Sequence, residues 1–190
     1  MEAEEYVKLG IIADFQGEGE EAIDNYTKAA NMGSIVAVKM LCTCYSEGYN
    51  VVPDPQKIAY WRERGAELGD CECQYYAGAN YYVGYGVEKD EKKAVYWWQK
   101  AAEKGDKYAQ TSLGNCYAGG GGVEKDLAMA RFWWLKAAEQ DFAEAQYLIG
   151  ESYFDEVDVQ SAILWWQKAA KGGNEDAKKT LKKLKIDLGE

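Results

Sequence analysis

A chain of 190 residues that is 47% hydrophobic and 28% charged has the material for a packed core and lacks the composition of a disordered tail. Its formal net charge of −10 repels nucleic acid and anionic membranes, and no apolar run approaches the ~20 residues of a membrane-spanning helix. Histidine is absent, which excludes Ser-His-Asp and Cys-His nucleophile pairs and removes the commonest general base and metal ligand.

One stretch recurs along the chain. Lys93 to Gly105 reads Lys-Ala-Val-Tyr-Trp-Trp-Gln-Lys-Ala-Ala-Glu-Lys-Gly, and it returns at Met129–Asp141 and Ser161–Gly173, with fainter copies at Glu21–Gly33 and Lys57–Gly69. Anchored on Ala94, the equivalent positions are Ala22, Ile58, Ala130 and Ala162, at intervals of 36, 36, 36 and 32 residues. Self-similarity at this period is the mark of stacked supersecondary units.

The first copy is crowded with acid: Glu2, Glu4, Glu5, Asp14, Glu18, Glu20 and Glu21 stand against Lys8 alone. The acidic start lacks the basic region of a secretory signal. In the full copies a first helix is marked by Ala37, Cys73, Ala109 and Ala145. Four residues on stand Leu41, Ala77, Leu113 and Ile149, then the small residues Cys42, Gly78, Gly114 and Gly150, then Tyr45, Tyr81, Tyr117 and Tyr153. Apolar residues at i, i+4 and i+8 lie on one helical face. Gly84-Tyr85-Gly86 and Gly120-Gly121-Gly122 read as turns. Asp54, Asp90 and Asp126 read as N-caps, so second helices start at about residues 55, 91 and 127. Gly33, Gly69 and Gly105 read as the residues that stop those helices. Asp141 takes that place in the fourth copy, so a different turn is expected there. In the first and last copies the loop is shorter, with Ala22 and Ala162 thirteen residues past Leu9 and Ile149. Asp176–Leu188 reads as a lysine-rich cap with Ala177, Leu181, Leu184 and Leu188 on one stripe. The expected architecture is all-α: five helical hairpins plus a C-terminal capping helix, eleven helices in one repeat domain. The copies run over about 1–33, 34–69, 70–105, 106–141 and 142–173, with the cap from 174 to 190.

These residues resemble the Sel-1-like repeat, a relative of the tetratricopeptide repeat. The resemblance is carried by Ala-x-x-x-Leu-Gly-x-x-Tyr, then Gly-x-Gly-Val-x-x-Asp, then Lys-Ala-x-x-Trp-x-x-Lys-Ala-Ala-Glu-x-Gly. It is nearly complete over Cys73–Gly105 and Ala109–Asp141. The second copy departs from it, with Arg62 in place of the Trp or Tyr and Gly65 in place of the Ala. The resemblance implies a right-handed α-α superhelix whose concave wall is lined by the first helix of each pair. It also implies adaptor or scaffold activity rather than catalysis, and it includes many bacterial members. Some secreted members carry regularly spaced cysteine pairs, and Cys42, Cys44, Cys71, Cys73 and Cys116 lack that spacing.

No chemistry of bond-making is legible. The two Cys-x-Cys pairs point about 200° apart on a helix and cannot each chelate one ion, so no metal is expected. Gly119–Gly122 is not followed by Gly-Lys-Ser/Thr, so it is not a phosphate-binding loop. No catalytic residue and no cofactor is assigned. The odd number of cysteines favours reduced thiols and a cytoplasmic location. The Trp pairs at 97/98, 133/134 and 165/166 read as core. Ligand-binding positions are sought where the first helices vary from copy to copy: Lys39, Tyr75, Thr111 and Tyr147; Thr43, Asn115 and Glu151; Ser46, Tyr82 and Phe154. Tyrosine offers contact area with a polar tip, and Asn115 offers donor and acceptor to a peptide backbone. Alanine at Tyr75 and Tyr147 together is expected to leave stability nearly unchanged. The expected partner is a protein or peptide, with no nucleic acid and no membrane insertion, and the chain itself a monomer or weakly self-associating. The alternatives are an immunity-type protein that captures a basic partner through its acidic surface, and recognition of a glycan by exposed aromatics.

Overall fold

A computed structural model describes residues 1–48 and 51–186. Those residues form eleven α-helices: α1 Ala3–Gln16, α2 Gly19–Asn31, α3 Ile35–Glu47, α4 Pro55–Glu67, α5 Cys71–Val83, α6 Glu91–Glu103, α7 Lys107–Gly119, α8 Leu127–Ala138, α9 Ala143–Asp155, α10 Val159–Lys171 and α11 Glu175–Lys183. The second helices begin at 55, 91 and 127, as their caps predict. The backbone falls into two compact units, Met1–Trp97 and Trp98 onward. None of the described helices is long and apolar enough to cross a membrane.

In the first unit α1 pairs with α2 and α3 with α4, while α2 packs on α3 and α4 on α5. In the second unit α7 pairs with α8 and α9 with α10, while α8 packs on α9 and α10 on α11. Most joints use a polar side chain at the backbone groups a helix end leaves unmet, while α2 and α9 have no side-chain cap. The Asp54 carboxylate accepts from Gln56 and Lys57 N–H, and Asp126 accepts from Met129 N–H. The first helices α3, α5 and α7 are capped the same way by Ser34, Asp70 and Asp106, and the C-terminal helix α11 by Asn174. A buried glutamine that sequence reading passed over stands beside each Cys73, Ala109 and Ala145 position. Gln74, Gln110 and Gln146 donate from Nε2 to the carbonyls of Ala66, Ala102 and Ala138 at 3.1, 3.1 and 3.5 Å. The polar amide sits in an apolar seam because it satisfies the last carbonyls of the preceding helix.

Three expectations change. The turn at Asp141 is not different. Asp141 takes φ 56° itself, beside 90°, 90° and 95° at Gly33, Gly69 and Gly105, since Asp tolerates the left-handed region better than most residues. The cap helix stops at Lys183, and Lys185 at φ 58° turns the chain so that Ile186 donates to the Leu181 carbonyl and packs on the last core cluster. Leu184 is consequently exposed, and Leu188 lies outside the described residues. Leu9 is 41% exposed where Leu41, Leu113 and Ile149 are fully buried.

Candidate functional site

The repeat packs a large ring onto a residue with no side chain. In the second unit Trp166 Cδ1 lies where a Cβ on Gly150 would be within 2.5 Å, and a Cβ on Gly114 would overlap the Trp134 indole. In the first unit Tyr26 Cε1 lies 2.5 Å from the place of a Gly10 Cβ. Trp134, Trp166 and Tyr26 are all buried, so this pair locks first helix to second. The second repeat lacks it. Cys42 stands at the glycine position and Arg62 at the aromatic one.

A cleft of about 360 Å³ opens there between α3, α4 and α5. Its lining includes Lys39, Thr43 and Ser46, three of the positions singled out from sequence, together with Cys42, Arg62 and Tyr76. Glu72 and Cys73 complete it. The Arg62 guanidinium lies 4.6 Å from the Tyr76 ring centroid and donates from Nη1 to Asn80 Oδ1 at 2.8 Å. Lys39 spans the rim, with its ammonium 3.1 Å from Asp70 and 2.7 Å from Glu72. The hydroxyls are turned inward on their own helix: Thr43 donates to the Lys39 carbonyl and Ser46 to the Thr43 carbonyl, both at 3.1 Å.

Burial pushes the Cys42 thiol up to about 11, only partly countered by the Arg62 charge. Burial also raises Cys73, and its hydrogen bond to Asp70 raises it further. Neither thiol is a nucleophile near neutral pH. Burial alone would raise the Asp70 carboxyl, but the Cys73 N–H and the Lys39 ammonium outweigh it and hold the group below the usual carboxylate range. Asp70 therefore contributes stability that is present above its unfolded value of about 3.9 and is lost as pH falls through its lower folded value. Asp70→Asn, which keeps a capping oxygen but not the charge, should be less stable than wild type at pH 6. The gap between the two should close below about pH 4 in acid melts.

The same repeat holds a compensated pair. Gly65 replaces the alanine found at Ala29, Ala101, Ala137 and Ala169, and Cys73 replaces the alanine at Ala37, Ala109 and Ala145. A Cβ on Gly65 would overlap the Cys73 sulfur and lie 2.9 Å from its Cβ. Gly65→Ala alone should destabilise by about 1–3 kcal/mol through overpacking. Gly65→Ala with Cys73→Ala should recover much of that loss, since the overlapping sulfur is gone and alanine gains up to ~1 kcal/mol over glycine inside a helix, while the Cβ at 2.9 Å must still shift. Urea melts of the four proteins read that coupling directly.

The other candidate positions fare differently. Tyr75 is half-buried with its ring 5.2 Å from that of Tyr76, and Tyr82 is exposed with the Lys89 ammonium 5.7 Å from its ring centroid. In the second unit Thr111 is 6% exposed and donates its hydroxyl to the Lys107 carbonyl at 2.8 Å, so it is buried rather than presented on the surface where sequence placed it. Asn115 is exposed, but its Oδ1 accepts from Trp134 Nε1 at 3.0 Å, which ties it to the ring-on-glycine lock. Tyr147 packs against the buried cluster that includes Trp166, Ala177 and Leu181, and burial, then the Glu151 charge, raises its phenol. Alanine at Tyr75 and Tyr147 together is therefore expected to lower stability through lost packing at Tyr147, against the expectation from sequence. Glu151 is half-buried, and Phe154 is 46% exposed with its ring 5.4 Å from that of Trp166. The site residues that sequence reading missed are Cys42, Arg62, Glu72, Cys73 and Tyr76. The signal for the first two was present: they are the positions where one copy breaks its own repeat.

The Sel1 repeat profile matches residues 15–34, 36–70, 71–106, 107–142 and 143–174. The chain belongs to the Sel1 repeat family. It is an all-α helical-repeat solenoid of five hairpins and a C-terminal helix. Among solved structures it is similar to a protective antigen present in uropathogenic Escherichia coli strains that displays an SLR fold, at 30% identity and TM-score 0.81, over 99% of this chain and 43% of that one. This Sel1 chain thus spans less than half the length of that antigen. It is also similar to a Sel1 repeat protein from Oxalobacter formigenes, at 30% identity and TM-score 0.76, over 98% of this chain and 80% of that one. A third likeness is to an immunity protein from Pseudomonas aeruginosa, at 26% identity and TM-score 0.52, over 82% of this chain and 59% of that one. No curated protein matches the chain.

Proposed function

We propose that this Sel1 repeat protein is a non-enzymatic scaffold or adaptor of the cytoplasm that binds a protein or peptide segment on the face of its first helices. The observation that carries this reading is the cleft of the second repeat. It opens where the repeat's own packing rule is broken, and Lys39, Thr43 and Ser46 of α3 line it. Stacked helices hold such anchors in place before a partner arrives, so little conformational entropy is lost on binding. The absence of histidine and the raised thiols are in keeping with a site that binds rather than reacts.

The test is capture of partners from the native host lysate on wild-type protein and on a Thr43→Lys/Tyr82→Ala variant, two exposed positions whose change should leave the melting midpoint in place. A partner kept by the wild type and lost by the folded variant supports the reading. A partner held equally by both places binding elsewhere.

A second reading has its own support: the net charge of −10 and the similarity to an immunity protein fit capture of a basic partner through the acidic surface. An association rate that falls steeply with salt, and is unchanged in the same variant, would favour it.

A further inference from the structure

We propose that the cleft of the second repeat is a carboxylate receptor, in which Arg62 anchors an acidic group of the bound peptide segment. This rests on the first-helix binding reading and names what that site takes.

Arg62 is an unusual cation in this molecule. It replaces the Trp or Tyr that every other repeat buries at this place. Its only hydrogen bond among the described residues is the one to Asn80, a neutral amide. No carboxylate lies within ion-pair distance of it among those residues, although the chain carries 32 acidic residues against 22 basic ones. Glu72, the carboxylate in the lining of the cleft, is already engaged by Lys39, which also holds Asp70. A partly buried guanidinium without a counter-ion has lost hydration and gained little in return. With Nη1 on Asn80, the Nε and Nη2 donors form an edge that matches the two oxygens of a carboxylate.

Two neighbours fit the same role. The Arg62 Cζ lies over the Tyr76 ring at 4.6 Å from its centroid, a cation–π contact that helps to hold the guanidinium in place. Asn80 is 3% exposed, and while its Oδ1 accepts from Arg62, its Nδ2 is buried with no acceptor among the described residues. The amide cannot be turned over to relieve this, because its Nδ2 would then face a guanidinium that only donates. The pair therefore presents donors and no acceptor. A volume of about 360 Å³ admits one acidic side chain or one chain terminus, not a folded domain.

The two sources of a carboxylate are separable. Three five-residue acetylated peptides serve as probes: an amidated alanine peptide with a central glutamate, an alanine peptide with a free C-terminal carboxylate, and an amidated alanine peptide with neither. Each is titrated into the ¹⁵N-labelled full chain at about 0.15 M salt, which screens the repulsion of the acidic surface, and the Arg62 Nε–H resonance is followed. The expected result is a saturable shift with a carboxylate peptide and none with the neutral one. The peptide that shifts it more names the source. Arg62→Gln should weaken that binding by about tenfold or more in a protein that remains folded by circular dichroism. Cys42→Gly/Arg62→Trp, which rebuilds the ring-on-glycine lock and fills the cleft, should abolish binding in a protein at least as stable as wild type. No shift with any peptide, an equal shift with the neutral one, or binding undiminished in either variant would overturn the proposal. A host partner that survives Arg62→Gln but is lost in Thr43→Lys/Tyr82→Ala would overturn the carboxylate anchor while leaving first-helix binding intact.

Discussion

Trp166→Ala should cost about 3–5 kcal/mol of unfolding free energy, the range of buried Trp truncations. Trp166 is 1% exposed, sits on Gly150, and shares a cluster with Ala162, Ala169, Ala170, Ala177 and Leu181. Four of the buried residues that share its cluster are alanines, which cannot extend into the space its removal leaves, so the cost should lie toward the upper end. Its Nε1 is buried with no acceptor among the described residues, so the loss is one of packing and not of a hydrogen bond. Trp166→Phe, which keeps much of the ring and removes the unmet donor, should therefore cost markedly less. Leu164→Ala on the same helix, at a position 58% exposed, should stay within about 0.5 kcal/mol. Urea unfolding followed by circular dichroism measures all three. A loss under about 1 kcal/mol for Trp166→Ala would move this ring out of the core.

Gly86→Ala should be the most damaging single methyl in the first unit, at about 2–5 kcal/mol. Gly86 adopts φ 71°, and a Cβ there would overlap the Pro55 carbonyl oxygen and lie 3.0 Å from the Gln56 nitrogen. Backbone conformation and backbone contact both exclude a side chain, and neither neighbour is a flexible group that can swing away. Gly105→Ala isolates the first of these effects, because Gly105 has φ 95° and nothing within 4 Å of a Cβ. It should cost only about 1 kcal/mol. Thermal melts of the two variants separate the contact from the conformation, and equal losses would mean that the Gly86 turn does not rest on the start of α4.

Most of the fold was legible because the repeat states each packing requirement several times. Asp54, Asp90 and Asp126 mark helix starts in any one copy, and agreement among copies turns a weak local signal into a secure boundary. The ends of the array were less legible. Leu9 carries the same apolar signal as its buried equivalents and is exposed, and Leu184 leaves the stripe because the helix ends at Lys183 and Lys185 turns the chain, which the apolar period does not encode. Asp141 was misread because a missing glycine was taken for a missing conformation, and Asp can adopt the same φ.

The site was legible only in part. Variation among copies marked Lys39, Thr43 and Ser46, which the fold brings into one cleft. It also marked Thr111 and Tyr147, which vary because their neighbours vary: one lies against α7's own backbone and the other beneath the C-terminal helix. Arg62 and Cys42 were visible as a departure from the repeat. That both exchanges fall on the two halves of one ring-on-glycine contact, and so leave a space, is a fact of three dimensions. The buried glutamines Gln74, Gln110 and Gln146 were overlooked for the opposite reason, since a recurring polar residue reads as surface until its acceptor is seen.

The claim that a partner docks on the first helices of the second and third repeats is tested most directly by photo-cross-linking in the native host. A photoreactive amino acid is placed at Thr43 in the cleft, and separately at Tyr60, which is 53% exposed on α4 outside it. The account predicts a discrete protein adduct from Thr43 and none of the same mass from Tyr60. An adduct from Tyr60 with none from Thr43 would contradict it and place the partner on the second helices.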